Sequence, residues 1–234
     1  MKKRISFFTI SMLLGSITYA GVAVNPVQLY IRDTAKQKST TLTVESIDET
    51  EKKIFEIKAL SWTQDESGKN ILSPDDSVMI NPKSFILNPY KQQTIRIGFS
   101  RPVASIVESG QEKAWRIILE EMPQVVKDNS VNFLFNFNLP LFVGKQDDLK
   151  LIFKHSGSQL KVINEANSHV QITNLKIVDT AKKEIFKSNE MNYLLAKKSY
   201  SYDLGNTRLN SAQKYAVQVN TDKDDKVVEF QISD

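Results

Sequence analysis

Apolar and polar residues alternate with a period of two along most of the chain. Leu42 and Val44 alternate with Thr41, Thr43 and Glu45. Phe55, Ile57 and Ala59 alternate with Glu56 and Lys58, and Ile95, Ile97 and Phe99 alternate with Thr94, Arg96 and Gly98. Trp115, Ile117 and Leu119 alternate with Arg116 and Glu120, although Ile118 makes that segment apolar on both faces. Successive side chains of a strand point to opposite faces, so the pattern predicts half-buried β-strands. Turn-forming sequences punctuate them: Ser67-Gly68, Ser73-Pro74-Asp75-Asp76, Asn81-Pro82, Asn88-Pro89 and Ser109-Gly110. Helical periodicity is scarce. Short strands at this spacing predict an antiparallel sandwich rather than a parallel α/β sheet.

The alternation pauses at Gly144-Lys145-Gln146-Asp147-Asp148, a short polar linker. It restarts with Leu149, Leu151 and Phe153, then Leu160 and Val162, Val170 and Ile172, and Leu175 and Ile177. Tyr215, Val217 and Val219 form a further strand, and Val228, Phe230 and Ile232 close the chain. The prediction is an all-β protein with two sandwich domains, over residues 21–144 and 148–234. One long sandwich is the alternative that length leaves open.

Residues 1–20 follow another logic. Lys2-Lys3-Arg4 is followed by an apolar run from Ile5 to Ile17 and then by Thr18-Tyr19-Ala20, which places small residues three and one before a cut. This is the layout of a cleaved secretory signal peptide, with cleavage after Ala20 or, as the fallback, Ala23. The apolar run is too short to span a bilayer, which disfavours an N-terminal anchor. No later stretch approaches the ~18 apolar residues of a transmembrane helix, so no membrane insertion is expected after cleavage.

Losing the leader changes the charge. Of 31 basic residues, Lys2, Lys3 and Arg4 leave with it, and the remaining 28 face 27 acidic ones. A near-neutral chain without a clustered basic face gives no support to a nucleic-acid partner. There is no cysteine, so an exported chain of about 214 residues must hold together by core burial alone, which that length permits.

Residues that carry enzyme chemistry are missing from the pattern. His155 and His169 have no metal-ligand spacing, and there is neither a Gly-x-Ser-x-Gly elbow nor a phosphate-cradling glycine loop. Asp222-Lys223-Asp224-Asp225 hints at calcium, but Lys226 stands at the fifth loop position and no glutamate at the twelfth, so a hairpin turn between Tyr215–Asn220 and Val227–Ile232 is expected instead. Glu120 and Glu121 are neighbours in a strand and face opposite ways. No catalytic residue, metal or cofactor is predicted.

Residues 131–143 stand apart. Val131, Phe133, Phe135, Phe137, Leu139, Leu141 and Val143 share one face, with Asn132, Leu134, Asn136, Asn138, Pro140 and Phe142 on the other. Thirteen residues at ~3.3 Å each span about 43 Å, roughly twice an ordinary strand. No charged residue occurs from Val131 to Gly144, although an exposed apolar edge is normally guarded by charge. One reading is a strand meant to pair with another chain, its alternate side chains filling pockets there. The other is a buried central strand whose asparagines face a polar cavity. Three asparagines on one face suit backbone pairing and solvent better than a core, and Pro140 favours an edge position or a break in pairing.

Four segments resemble the periplasmic chaperones of the chaperone–usher pilus pathway. They are Val24-Asn25-Pro26-Val27-Gln28-Leu29-Tyr30; the proline-bounded run from Asn81 to Ile97; Ala114-Trp115-Arg116-Ile117-Ile118-Leu119-Glu120-Glu121-Met122-Pro123; and Asn138-Leu139-Pro140-Leu141-Phe142-Val143. The resemblance implies two immunoglobulin-like domains at an angle, a periplasmic location, and donor-strand complementation. In that mechanism the chaperone inserts a long strand into the groove of a pilus subunit that lacks one, and an outer-membrane usher later receives the complex. Val131, Phe133 and Phe135, with Phe137, would fill the groove. Relatives anchor the subunit's terminal carboxylate with a cationic pair, but the matching positions here are Gln28 and Pro140. This resembles the archaic branch, where the anchor is rebuilt, and makes Arg96 and Arg116 the candidates with Arg101 in reserve. Asn164-Glu165-Ala166-Asn167 also departs from the glycine turn of relatives. The alternative function is a pilus subunit or surface adhesin-like β module, although such a subunit should be one incomplete sandwich with an N-terminal donor segment. Self-association of the free chain, to cover its apolar strand, stays open.

Overall fold

A computed structural model describes residues 21–107, 110–123, 133–210 and 213–233. The signal-peptide prediction and Val131 lie outside them.

The first domain contains β1 (Gly21–Asn25), β2 (Leu29–Ile31), β3 (Ser39–Ile47), β4 (Lys53–Gln64), β5 (Asn70–Pro74), β6 (Val78–Asn81), β7 (Ser84–Leu87), β8 (Gln92–Phe99), β9 (Lys113–Glu121) and β10 (Asn136–Val143). One sheet has the order β1-β3-β8-β6; the other runs β2-β10-β9-β4-β5, with β7 also paired to β4. The two inner faces supply the core the alternation anticipates: Leu42, Val44, Phe55, Ile57, Ile95, Ile97, Trp115, Ile117, Leu119, Leu139 and Leu141 are all buried in one cluster.

The second domain contains β11 (Leu151–Ser156), β12 (Gln159–Asn164), β13 (Val170–Val178), β14 (Glu184–Ser188), β15 (Asn192–Leu194), β16 (Ser199–Asp203), β17 (Ala216–Thr221) and β18 (Val228–Ser233). Their order is β14-β13-β17-β18-β11-β12-β16, with β15 also on β13. Phe153, Leu160, Val162, Ile172, Leu175, Ile177, Val217 and Val219 form its separate core. The expected terminal hairpin is β17 with β18, closed at Val219 opposite Val228. Val170 with Ile172, and Leu175 with Ile177, belong to the single strand β13. A register shift between Ile172 and Asn174 explains why its apolar positions change from even to odd numbers.

Two expectations are corrected. Ser73 and Pro74 end the edge strand β5 instead of beginning a turn, a position proline tolerates because an outer edge needs no ladder donor. The thirteen-residue strand over 131–143 is regular only from Asn136, and Phe133, Leu134 and Phe135 are described but lie outside it. Its partner accounts for this: β9 ends at Glu121, whose N–H still reaches the Phe135 carbonyl (2.9 Å), and the next N–H due to face β10 would be that of Pro123, which has none.

Gly144 ends β10 at a φ of +139°, and a Cβ there would lie 2.9 Å from Glu112 Cα, so the chain leaves the first domain through a position that favours glycine. The linker beyond it is held rather than loose. Gln146 hydrogen-bonds Glu112 and accepts from Lys223 Nζ at 2.7 Å, and the Asp147 N–H donates to Ser168 Oγ at 2.9 Å.

Candidate functional site

Strand β10 carries two different edges. Along one it pairs with β9 from Asn136, opposite Glu120, to Val143, opposite Lys113. Along the other it meets β2 in parallel only at Leu141, Phe142 and Val143. The strand pairings of Asn136–Pro140 are thus on one side alone. The inner face of this half carries Phe137, half-buried against the core with its ring 6.4 Å from Phe55. Phe135 follows, its ring parallel to that of Phe137 at 6.0 Å and also touching the core. Phe133 is 87% exposed and Leu134 half so. The face that fills the domain's own core at Leu139, Leu141 and Val143 therefore runs outward through Phe137 and Phe135 to a bare phenyl ring.

The opposite face of the same sheet looks into the junction between the domains. Trp62, Ala114 and Phe142 are buried there with Leu195, flanked by Tyr30 and Tyr193. Arg116 shares this face. Its guanidinium lies 3.6 Å from the Trp62 ring centroid and 5.2 Å from that of Tyr193. No ion pair among the described residues engages it. Burial lowers the Arg116 pKa, against the pull of Tyr193, but arginine remains charged. Arg116 is thus a half-buried cation stacked on an aromatic platform.

The other two arginines are elsewhere. Arg96 is exposed on β8, in the opposite sheet, and its Nε donates to the Ser39 hydroxyl at 2.8 Å. Arg101 is exposed beyond the end of β8, near Asp75, whose carboxyl burial would raise but hydrogen bonds from Ser77 and Trp115, with a smaller pull from Arg101, hold below its ordinary value. The two neutral positions, by contrast, converge on Arg116. Pro140 is its direct cross-strand partner, and Gln28 donates to the Tyr193 hydroxyl at 2.9 Å beside it.

Sequence reasoning missed what fixes this junction. Gln64 ends β4 with its side-chain amide donating to the Tyr193 carbonyl at 2.7 Å and accepting from the Leu195 N–H at 2.8 Å. Glu112 Oε1 accepts from the His169 N–H at 2.9 Å and faces its Nδ1 at 2.8 Å, while Asp222 Oδ2 lies 3.3 Å from Nε2. The imidazole lies flat on Phe142, with centroids 3.4 Å apart. Burial would raise the Asp222 carboxyl, but the nearby His169 ring, the Gln171 N–H and the charge of Lys223 together hold it below its ordinary value. Tyr30, buried beside Asp222, is pushed up to about 12. The turn without glycine is held by Asn164, whose Nδ2 donates to the carbonyls of Ser168, Leu194 and Leu195 and whose Oδ1 accepts from Ala166. A signal did exist: Leu60 and Trp62 in β4, like Ala114 and Ile118 in β9, are apolar on the face away from the core, and a strand apolar on both faces must be covered on both.

The sequence of residues 21–144 matches the pili and flagellar-assembly chaperones, PapD N-terminal domain. That is over half the chain, and the chain belongs to this family. Solved structures share the fold across both domains. The complex of the chaperone CsuC with the tip subunit CsuE, from archaic chaperone–usher Csu pili of Acinetobacter baumannii, matches with a TM-score of 0.66 at 18% identity, covering 91% of this chain and 98% of the other. The E. coli chaperone DraB matches at 0.62 and 20% identity, covering 92% and 98%. The complex of the Salmonella enterica pilin SafA with the chaperone SafB matches at 0.62 and 16% identity, covering 91% and 96%. No curated protein matches the chain in sequence. The fold is that of a pilus-assembly chaperone.

Proposed function

We propose that the chain is a periplasmic chaperone that captures pilus subunits by lending them the Val131–Phe137 part of its donor segment, and hands them to an outer-membrane usher. It is a binding protein with no turnover. The observation that carries the reading is the half-paired strand β10, whose Asn136–Pro140 segment meets β9 alone and runs on into an uncharged apolar extension. A subunit lacking one strand has the complementary need: a partner for its open edge and apolar side chains for its groove. Phe133 and Val131 would enter the groove first, with Phe135 and Phe137 carrying the same face back to the chaperone's own core. Each phenyl ring so buried contributes roughly 1.5–3 kcal/mol.

Arg116 is the proposed anchor for the subunit's terminal carboxylate. Its planar guanidinium suits two-pronged carboxylate capture, and it stands across the ladder from Pro140 and near Tyr193, to which Gln28 is bonded. Arg96 and Arg101 are set aside by position, one on the far sheet and one in a loop. Recovery of the chain from periplasm tests the reading: a small β-rich subunit should accompany it in equimolar amount, and recovery of the chain alone while its subunit is being made contradicts it.

A further inference from the structure

The β9–β10 ladder ends in an unusual rung. Its regular pairs reach Asn136 opposite Glu120. One step further, the Glu121 N–H donates to the Phe135 carbonyl at 2.9 Å, as a ladder demands. The returning bond does not go to the Glu121 carbonyl: the Phe135 N–H donates to the side-chain carboxylate, Oε2, at 3.0 Å. That carboxylate is only 6% exposed, and Lys53 Nζ holds it from behind at 3.4 Å. Lys53 also lies 3.7 Å from Glu49 and sits over the Phe135 ring, 5.0 Å from its centroid. The last hold on the strand thus comes from a buried, ion-paired side chain at the residue where the chain leaves its own domain.

We propose that Glu121 is a positioning residue that fixes the register in which the donor segment enters a subunit; this rests on the strand-lending function proposed above. A slip of one residue would turn Leu134, not Phe133, toward the groove, and a slip of two would move every ring by ~6.6 Å. Asn132 and Asn136 resist the slip of one, but nothing in the composition resists the slip of two, because Val131, Phe133, Phe135 and Phe137 share one uncharged apolar face. Glu121 supplies the resistance from outside. By gripping the Phe135 amide it makes Phe133 the first ring beyond the chaperone's own sheet, and Lys53 keeps the carboxylate from turning to solvent.

The test uses the full chain co-produced with the pilus subunit that accompanies the wild type, and compares Glu121→Gln, Glu121→Met and Phe133→Asp. The glutamine variant keeps a carbonyl oxygen for the Phe135 N–H, whereas methionine fills the space without an acceptor, and leucine serves in its place if methionine does not fold. Expected for the variant without an acceptor is about tenfold less subunit captured and about tenfold faster exchange of the Phe135 amide, with glutamine restoring both. Wild-type capture by that variant, or equal losses in the glutamine variant, overturns the role of Glu121. Wild-type capture by Phe133→Asp overturns strand lending itself. Loss in Phe133→Asp alone overturns only the register role.

Discussion

The guanidinium of Arg116 lies 3.6 Å over the indole of Trp62, directly across the ladder from Pro140. Stacking orients the guanidinium plane while leaving its edge N–H groups to bind a carboxylate. Arg116→Ala should therefore weaken subunit binding by about ten- to hundredfold, the loss of a charge-assisted hydrogen-bonded pair. Arg116→Lys should recover part of this, since an ammonium keeps the charge but not the planar fork. Arg96→Ala, on the other sheet, should bind as the wild type does. Titration of purified chaperone against subunit measures all three, and equal binding by Arg116→Ala would place the anchor elsewhere.

Gln64 acts as a fragment of strand between the domains, pairing with the main chain on both sides of Leu194. Gln64→Leu removes the partner of the buried Leu195 N–H and that of the half-buried Tyr193 carbonyl, at a cost of roughly 1–3 kcal/mol each at most. Calorimetry should show a lower melting temperature and a transition that separates into two, one per core. An unchanged single transition would mean that the Gln64 bonds contribute nothing to coupling the domains.

The same junction predicts sensitivity at both ends of the pH scale. The Asp222 carboxyl sits below its ordinary value in the folded chain, so its contribution is present above about pH 4 and is lost as pH falls through the folded value. Tyr30 is raised to about 12, so its contribution is complete below about pH 10 and is lost as pH climbs toward the folded value. Urea unfolding midpoints across pH should show both declines. Asp222→Asn should make the acid limb shallower and leave the alkaline limb unchanged, and Tyr30→Phe should do the reverse; Asp75, which hydrogen bonds hold below its ordinary value against burial, and Tyr202, which burial pushes up to about 12, sustain the rest of each decline.

Much of the fold is legible in the alternation because one face of each long strand is dry and the other wet. Phe55-Ile57-Ala59 and Ile95-Ile97 announce their strands, and the polar residues after Gly144 announce the break between cores. Short edge strands escape this reading. In β5 all five residues are exposed, so no contrast marks it. The donor strand was legible as an anomaly but not in its length, since the point where β9 stops offering partners depends on Pro123, in another segment of the chain. The site was visible in part. Arg116 could be picked out as a cation in an apolar strand, but so could Arg96, and only the sheet order separates them. The Glu112–His169–Asp222 contacts join residues that are 57 and 53 positions apart and carry no local signature.

Strand lending is tested most directly by Phe133→Asp, because Phe133 is 87% exposed in the free chain and its replacement costs the chaperone's own core nothing. Co-produced with its subunit, this variant should fold and melt as the wild type does yet leave the subunit uncaptured and degraded. Equal recovery of the chaperone–subunit complex from the folded variant and from the wild type would contradict the account.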